Sequence, residues 1–118
     1  MALNFDKALG VHADALRMRA ERTQLLASNL ANASTPGYQA RDIDFASAMA
    51  QLSDDSGLAL ADEGEAMYRI PHNPSRDGNT VEVGVEQALF SQNASDFQMS
   101  LTFVSMKMNG LKAAIKGE

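Results

Sequence analysis

The sequence predicts a mainly all-α protein, in which two long terminal helices pair as an antiparallel coiled coil joined by an irregular middle containing a short helix. Three observations carry this. Steps of four and three residues from Phe90 meet Ala94, Phe97, Leu101, Val104, Met108, Leu111 and Ile115, an unbroken apolar heptad seam. The same steps from Leu9 meet Ala13, Leu16, Ala20, Thr23, Ala27 and Leu30, alternately large and small, so a neighbouring helix can approach closely. Between them lies a stretch of Gly, Pro, Asn and Asp with no sustained period.

The first helix is expected from about Asn4, a plausible N-cap, to Ala33. It stops at the hinge Ser28-Asn29-Leu30-Ala31-Asn32-Ala33-Ser34-Thr35-Pro36-Gly37-Tyr38. Pro36 lacks an N–H and its ring strikes the preceding turn, Thr35 before it is pushed toward extended geometry, and Gly37 is free to take a positive φ. Asn29 and Asn32 lie on one face, with amides that can bond a neighbouring helix or the returning loop. An ordinary C-cap and turn is the plain alternative for this stretch.

Asp44 can cap a short helix from Phe45 to Leu52, ended by Ser53-Asp54-Asp55-Ser56-Gly57. Residues 58–76 read as loop, with Met67-Tyr68-Arg69-Ile70 a short extended piece. Asp77-Gly78-Asn79 signals a turn, and Thr80-Val81-Glu82-Val83 is briefly extended before the second helix starts near Gly84. Gly117 ends that helix, with Lys112 and Lys116 complementing its dipole. The chain thus divides into 1–34, 35–83 and 84–118, the first and last forming one helical domain. Both helices are expected to be roughly 45 Å long.

Of the 118 residues 45% are hydrophobic, yet only seven are aromatic and none is Trp, which suits long helices better than a globule. One narrow seam per helix is thin support for so much ordered backbone, so the termini are expected to be loose in the free subunit and to order against neighbours. The net charge of −5 is distributed as +1 over residues 1–39, −7 over 40–87 and +1 over 88–118. No basic patch offers itself to nucleic acid or an anionic membrane.

No chemistry stands out. There is no Cys, and His12 and His72 lack a second ligand at metal spacing. Ser28 and Ser34 have no nearby base, and Asp42 and Asp44 beside Arg41 read as a helix cap with a local ion pair. Asp54-Asp55 and Asp62-Glu63-Gly64-Glu65 lack the ordered spacing of a calcium loop. No cofactor, metal or small-molecule substrate is expected, and nothing suggests an enzyme.

Ser28-Asn29-Leu30-Ala31-Asn32 with Thr35-Pro36-Gly37-Tyr38 resembles the N-terminal signature of bacterial flagellar rod, hook and hook-associated proteins. The continuation Gln39-Ala40-Arg41-Asp42-Ile43-Asp44-Phe45 is similar to that of proximal rod members. Asp77-Gly78-Asn79-Thr80-Val81, Phe97-Gln98-Met99-Ser100-Leu101 and Gly110-Leu111-Lys112-Ala113-Ala114-Ile115 are similar to the family's C-terminal half. The likeness covers nearly the whole chain except about residues 48–72. Gly84, where the family commonly has a helix-starting polar residue, and the short acidic middle depart from it.

The resemblance implies a structural subunit of the basal-body rod, exported without a cleavable signal peptide through the flagellar type III apparatus and assembled in the periplasm. It implies as partners other rod proteins, the junction protein FliE and the inner-membrane (MS) ring. Leu9, Leu16, Leu30, Phe97, Leu101, Val104, Met108, Leu111 and Ile115 are then expected to serve helix pairing and tube packing. Asn29, Asn32, Pro36, Gly37 and Tyr38 would set the hinge and its contact to a neighbouring subunit. The alternatives are a soluble helical adaptor or chaperone-like binding module, which would be a discrete monomer or dimer, and a different rod protein of the same family.

Overall fold

A computed structural model describes residues 5–53, 66–73 and 75–117. Its elements in chain order are α1 (Phe5–Ala31), β1 (Arg41–Ile43), α2 (Phe45–Ser53), β2 (Ala66–Tyr68) and α3 (Val83–Lys116). The fold is mainly helical, and α1 and α3 lie antiparallel. Asn29 meets Glu86, Thr23 meets Asn93, Arg19 meets Asp96, and His12 meets Phe103 along the pair. The principal extents are 63 × 29 × 18 Å, the shape of a rod rather than a globule.

The two helices are not equal. Over the described residues α1 has 27 residues and α3 has 34, roughly 40 and 51 Å at the usual rise. The Asn4 cap lies outside the described residues, as do the Asp54–Gly57 stop and the Asp62–Glu65 cluster. Asp44 caps α2: its carboxylate accepts the Ser47 N–H at 3.3 Å and its carbonyl accepts the Ala48 N–H at 3.0 Å. At the far end of α3, Gly117 turns left-handed at φ 72° and its N–H returns to the Ala113 carbonyl.

In the middle, β1 and β2 pair antiparallel, with Arg41 opposite Tyr68, Asp42 opposite Met67 and Ile43 opposite Ala66. Ala40 and Ile43 are buried beneath this ribbon. The expected extended piece at 67–70 is thus shifted to Ala66–Tyr68. Thr80–Glu82 forms no strand: Thr80 donates its N–H to the Tyr38 carbonyl at 3.0 Å, and the chain then enters α3 at Val83. Glu82 stands extended at the N-cap but does not cap with its side chain, because Oε1 accepts the His72 N–H at 2.8 Å instead.

The apolar core is thin. Among the described residues it comprises Ala15, Met18, Leu26, Ala40 and Ile43, and four polar side chains are buried with it: Asn29, Asn79, Glu86 and Asn93. The buried stripe of α1 therefore runs through Ala15, Met18, Leu26 and Asn29, turned by about 100° from the heptad seam. Leu9, Leu16, Thr23 and Leu30 lie half-buried at its edge, and Ala13, Ala20 and Ala27 face solvent. On α3 the stripe runs through Glu86, Asn93 and the half-buried Ser100, seven residues apart, flanked by Phe90, Phe97, Val104 and Leu111. The remaining seam positions Ala94, Leu101, Met108 and Ile115 are exposed, the last three at 42%, 55% and 59%. The physical reason is that the polar groups between the helices have partners, so they enter the interface that a count of apolar residues alone assigns elsewhere.

Candidate functional site

Two ends of the helix pair differ in chemistry. At the hinge end, α1 terminates in a tightened turn, with the Asn32 N–H shared between the Ser28 and Asn29 carbonyls at 3.1 and 3.2 Å. Gly37 sits at φ 73°, a conformation that Pro36 leads into and that side chains rarely adopt. Its N–H is held by the Asp77 carbonyl at 2.9 Å. The Asn79 Nδ2 meets the carbonyls of Asn32, Ala33 and Thr35 just past α1 at 3.0, 3.1 and 2.8 Å; those of Asn32 and Thr35 also accept the Thr35 and Tyr38 N–H groups, and Ala33 depends on Asn79. The turn signalled by Asp77-Gly78-Asn79 is thus the cap of a helix that ended more than forty residues earlier.

Asn29 is the centre of this end. Fully buried, it donates from Nδ2 to the Arg41 carbonyl at 2.7 Å and to Glu86 Oε2 at 3.0 Å. Its Oδ1 accepts the Arg41 N–H at 3.1 Å and the Tyr38 hydroxyl at 3.3 Å, so all its hydrogen-bonding directions are used. The Tyr38 oxygen also meets Ser28 Oγ at 3.0 Å. Asn32 bonds the Ser28 carbonyl and accepts the Thr35 hydroxyl. Of the hinge residues, Asn29 is committed to internal bonds, Asn32 and Tyr38 are half-buried, and Pro36 and Gly37 are exposed.

Beside Asn29 lies a charge cluster. Arg69, just past β2, grips Asp42 at 2.7 Å with one guanidinium nitrogen and Glu86, which is fully buried, with the other. Arg22 reaches Asp42 from α1 through Nε at 2.8 Å and its terminal nitrogen at 3.0 Å. Two arginines and two carboxylates therefore tie α1, the ribbon and α3 together with no net charge. Burial pushes the Asp42 carboxyl up, but hydrogen bonds and charge from Arg22, the Ile43 N–H and Arg69 outweigh it and hold it below its ordinary value. The ion pair expected between Asp42 or Asp44 and Arg41 is instead Asp42 with Arg22 and Arg69, while Arg41 is exposed. Farther along, Arg19 bonds Asp96 at 3.3 Å and Ser100 at 3.2 Å and lies 3.9 Å over the Phe45 ring, which seats α2.

The other end is apolar and open. Met99, Phe103 and Met106 are exposed on one flank of α3, and Leu101, Met108 and Ile115 on the other, roughly 160° round the helix. A groove of about 230 Å³ is lined by Leu9, Met108, Leu111, Lys112, Ile115 and Lys116. A second, of about 420 Å³, is lined by Phe103, Met106, Lys107, Gly110 and Leu111. Half of the seam residues thus lie at the α1 contact and half beyond it.

Each carboxylate of the cluster is held by a guanidinium. Among the described residues no three His, Asp or Glu side chains converge on a metal position. No helix among them is long and apolar enough to cross a membrane. Sequence reasoning missed Arg22, Arg69, Glu86 and Asn93. The seven-residue spacing of Glu86, Asn93 and Ser100 was the available signal for the last two; Arg69 carried none.

Residues 9–39, which hold most of α1 and the hinge, match the family model described as flagella basal body rod protein. Along nearly its full length the chain is similar to proteins called flagellar basal body rod protein FlgB. It is 46% identical over 125 aligned positions to the one from Cereibacter sphaeroides, covering 97% of this chain and 98% of that one. To that of Aeromonas hydrophila it is 42% identical, covering 100% and 99%, and to that of Salmonella typhimurium 37%, covering 95% of each. On this footing the chain belongs to the FlgB family of flagellar basal body rod proteins.

Proposed function

We propose that this chain is a structural subunit of the flagellar basal body rod and that it joins the rod through its terminal helices, at the proximal end. Its neighbours would be other rod proteins, the junction protein FliE and the MS ring, and its role is mechanical rather than catalytic. The observation that carries this reading is the state of α3. A helix with apolar side chains exposed on both flanks of its contact with α1 is suited to burial among several neighbours. Leu101, Met108 and Ile115, set apart from the buried stripe, would then pack against other subunits, while Leu16, Leu30, Phe97, Val104 and Leu111 border the internal pair. The same reading has the open ends of α1 and α3 loosely ordered in the free subunit and fully ordered in the rod.

The test is Leu101→Asp in a strain whose own copy is deleted. Leu101 is 42% exposed, so the variant is expected to fold with an unchanged far-ultraviolet spectrum. Swimming should be abolished while the protein still appears in the export fraction. Normal swimming would overturn the proposal.

A further inference from the structure

The open end of α3 has a charge pattern as well as an apolar one. From Phe97 to Gly117 the helix carries Lys107, Lys112 and Lys116 and not one carboxylate. All three lysines are exposed and line the two grooves, which share Leu111 at their junction. Each groove is therefore an apolar floor with an ammonium rim. A second copy laid on the same surface by a two-fold axis would bury the apolar floor but set lysine against lysine, whereas a carboxylate-bordered partner gains the apolar contact without that repulsion.

We infer that the grooves at the open end of α3 take an amphipathic helix whose apolar stripe is bordered by Asp or Glu. The inference rests on the rod-subunit reading and sharpens it by stating the partner's chemistry. From Phe103 to Ile115 the surface runs roughly 18 Å, enough for about three turns of helix. Apolar anchors of the partner would fill the grooves around Phe103, Met106, Met108 and Ile115. Its carboxylates would meet the lysines at the rim, contributing more to partner choice than to affinity. Such an interface joins two different surfaces, so it does not close into a two-fold pair of this chain.

The test uses the full chain and two fluorescent helical peptides of about four turns. Both carry leucine at i, i+3, i+4 and i+7; one has glutamate flanks and the other lysine flanks. Fluorescence anisotropy should show the glutamate peptide binding about tenfold more tightly, with the advantage shrinking at high salt. Lys107→Glu/Lys112→Glu should invert the preference, and Lys107→Gln/Lys112→Gln should erase it, both with unchanged helicity. Equal binding of the two peptides, binding of neither, or a preference the variants leave intact would overturn the inference. So would strong binding to phosphatidylglycerol/phosphatidylcholine vesicles that the Glu variant loses while peptide selectivity is absent, which would assign the surface to lipid. The outcome is separable from the swimming test. A Leu101→Asp strain that swims removes the rod reading and leaves the peptide result standing; unselective peptides with a non-motile strain remove only the inference.

Discussion

The hinge end and the open end of the same helix pair solve opposite problems. At the hinge end the charges between the helices and the ribbon are paired: Arg22, Asp42, Arg69 and Glu86, with Asn29, form one closed set, and Asn79 seals the turn beside it. At the open end Phe103 remains about half in water, and Met106, Met108 and Ile115 more than half. The difference teaches that the chain's own fold is fixed by polar geometry where its middle segment returns, whereas its apolar side chains are held in reserve away from that point. Polar groups give register and a single arrangement; apolar ones give area to whatever neighbour supplies the other half.

Breaking the closed set should have the largest effect. Arg69→Met strands the buried Glu86 carboxylate and should lower stability by about 3–5 kcal/mol, read as a fall in the denaturant midpoint. Preserved stability would mean that the ribbon is not fastened through this residue. Leu26→Ala removes a fully buried side chain from the thin core and should cost about 2–5 kcal/mol in the same measurement. Asn79→Ala takes the Ala33 carbonyl's donor and one of two donors from the Asn32 and Thr35 carbonyls, for about 1–3 kcal/mol, with fraying visible in hydrogen exchange at residues 28–33.

Acid should act on one end first. The Asp42 carboxyl is depressed below its ordinary 3.8 in the fold. Its contribution is therefore complete above that unfolded-state value and is lost as pH falls through the lower folded one. Between Phe97 and Gly117 α3 has no carboxylate, so exchange protection of α3 should weaken at its hinge end before its open end responds. The smallest expected effect is Met106→Gln, which at a residue 65% exposed should move stability by less than about 0.5 kcal/mol while lowering rod incorporation. A large loss of stability there would show that the open end already has an internal partner.

Much of this was legible in the residues. The two helices, the Pro36-Gly37 break, the Asp44 cap and the Gly117 stop all follow from local chemistry, because caps and breakers act on groups within a few positions. The rotation of the helix faces was not legible. Periodicity treats Glu86, Asn93 and Arg22 as outward residues, and only tertiary pairing turns them inward; for Asn29 the residue type allowed a bond to a neighbouring helix or the returning loop, and it makes both. Asn29 with its four bonds shows the rule, and Asn93 shows its edge. It donates to the Arg19 carbonyl and Thr23 hydroxyl, while its Oδ1 is buried with no partner among the described residues. The ribbon failed for a related reason: three-residue strands held by an arginine from outside carry too little pattern to announce themselves.

Because Asn79 supplies what the end of α1 lacks, the first forty residues by themselves cannot complete their own boundary. Closure waits for a segment made later in the chain, so the last turn before Pro36 should be among the final pieces to settle during folding. A fragment stopping ahead of Asp77 should show that turn melted, however helical the rest of it remains.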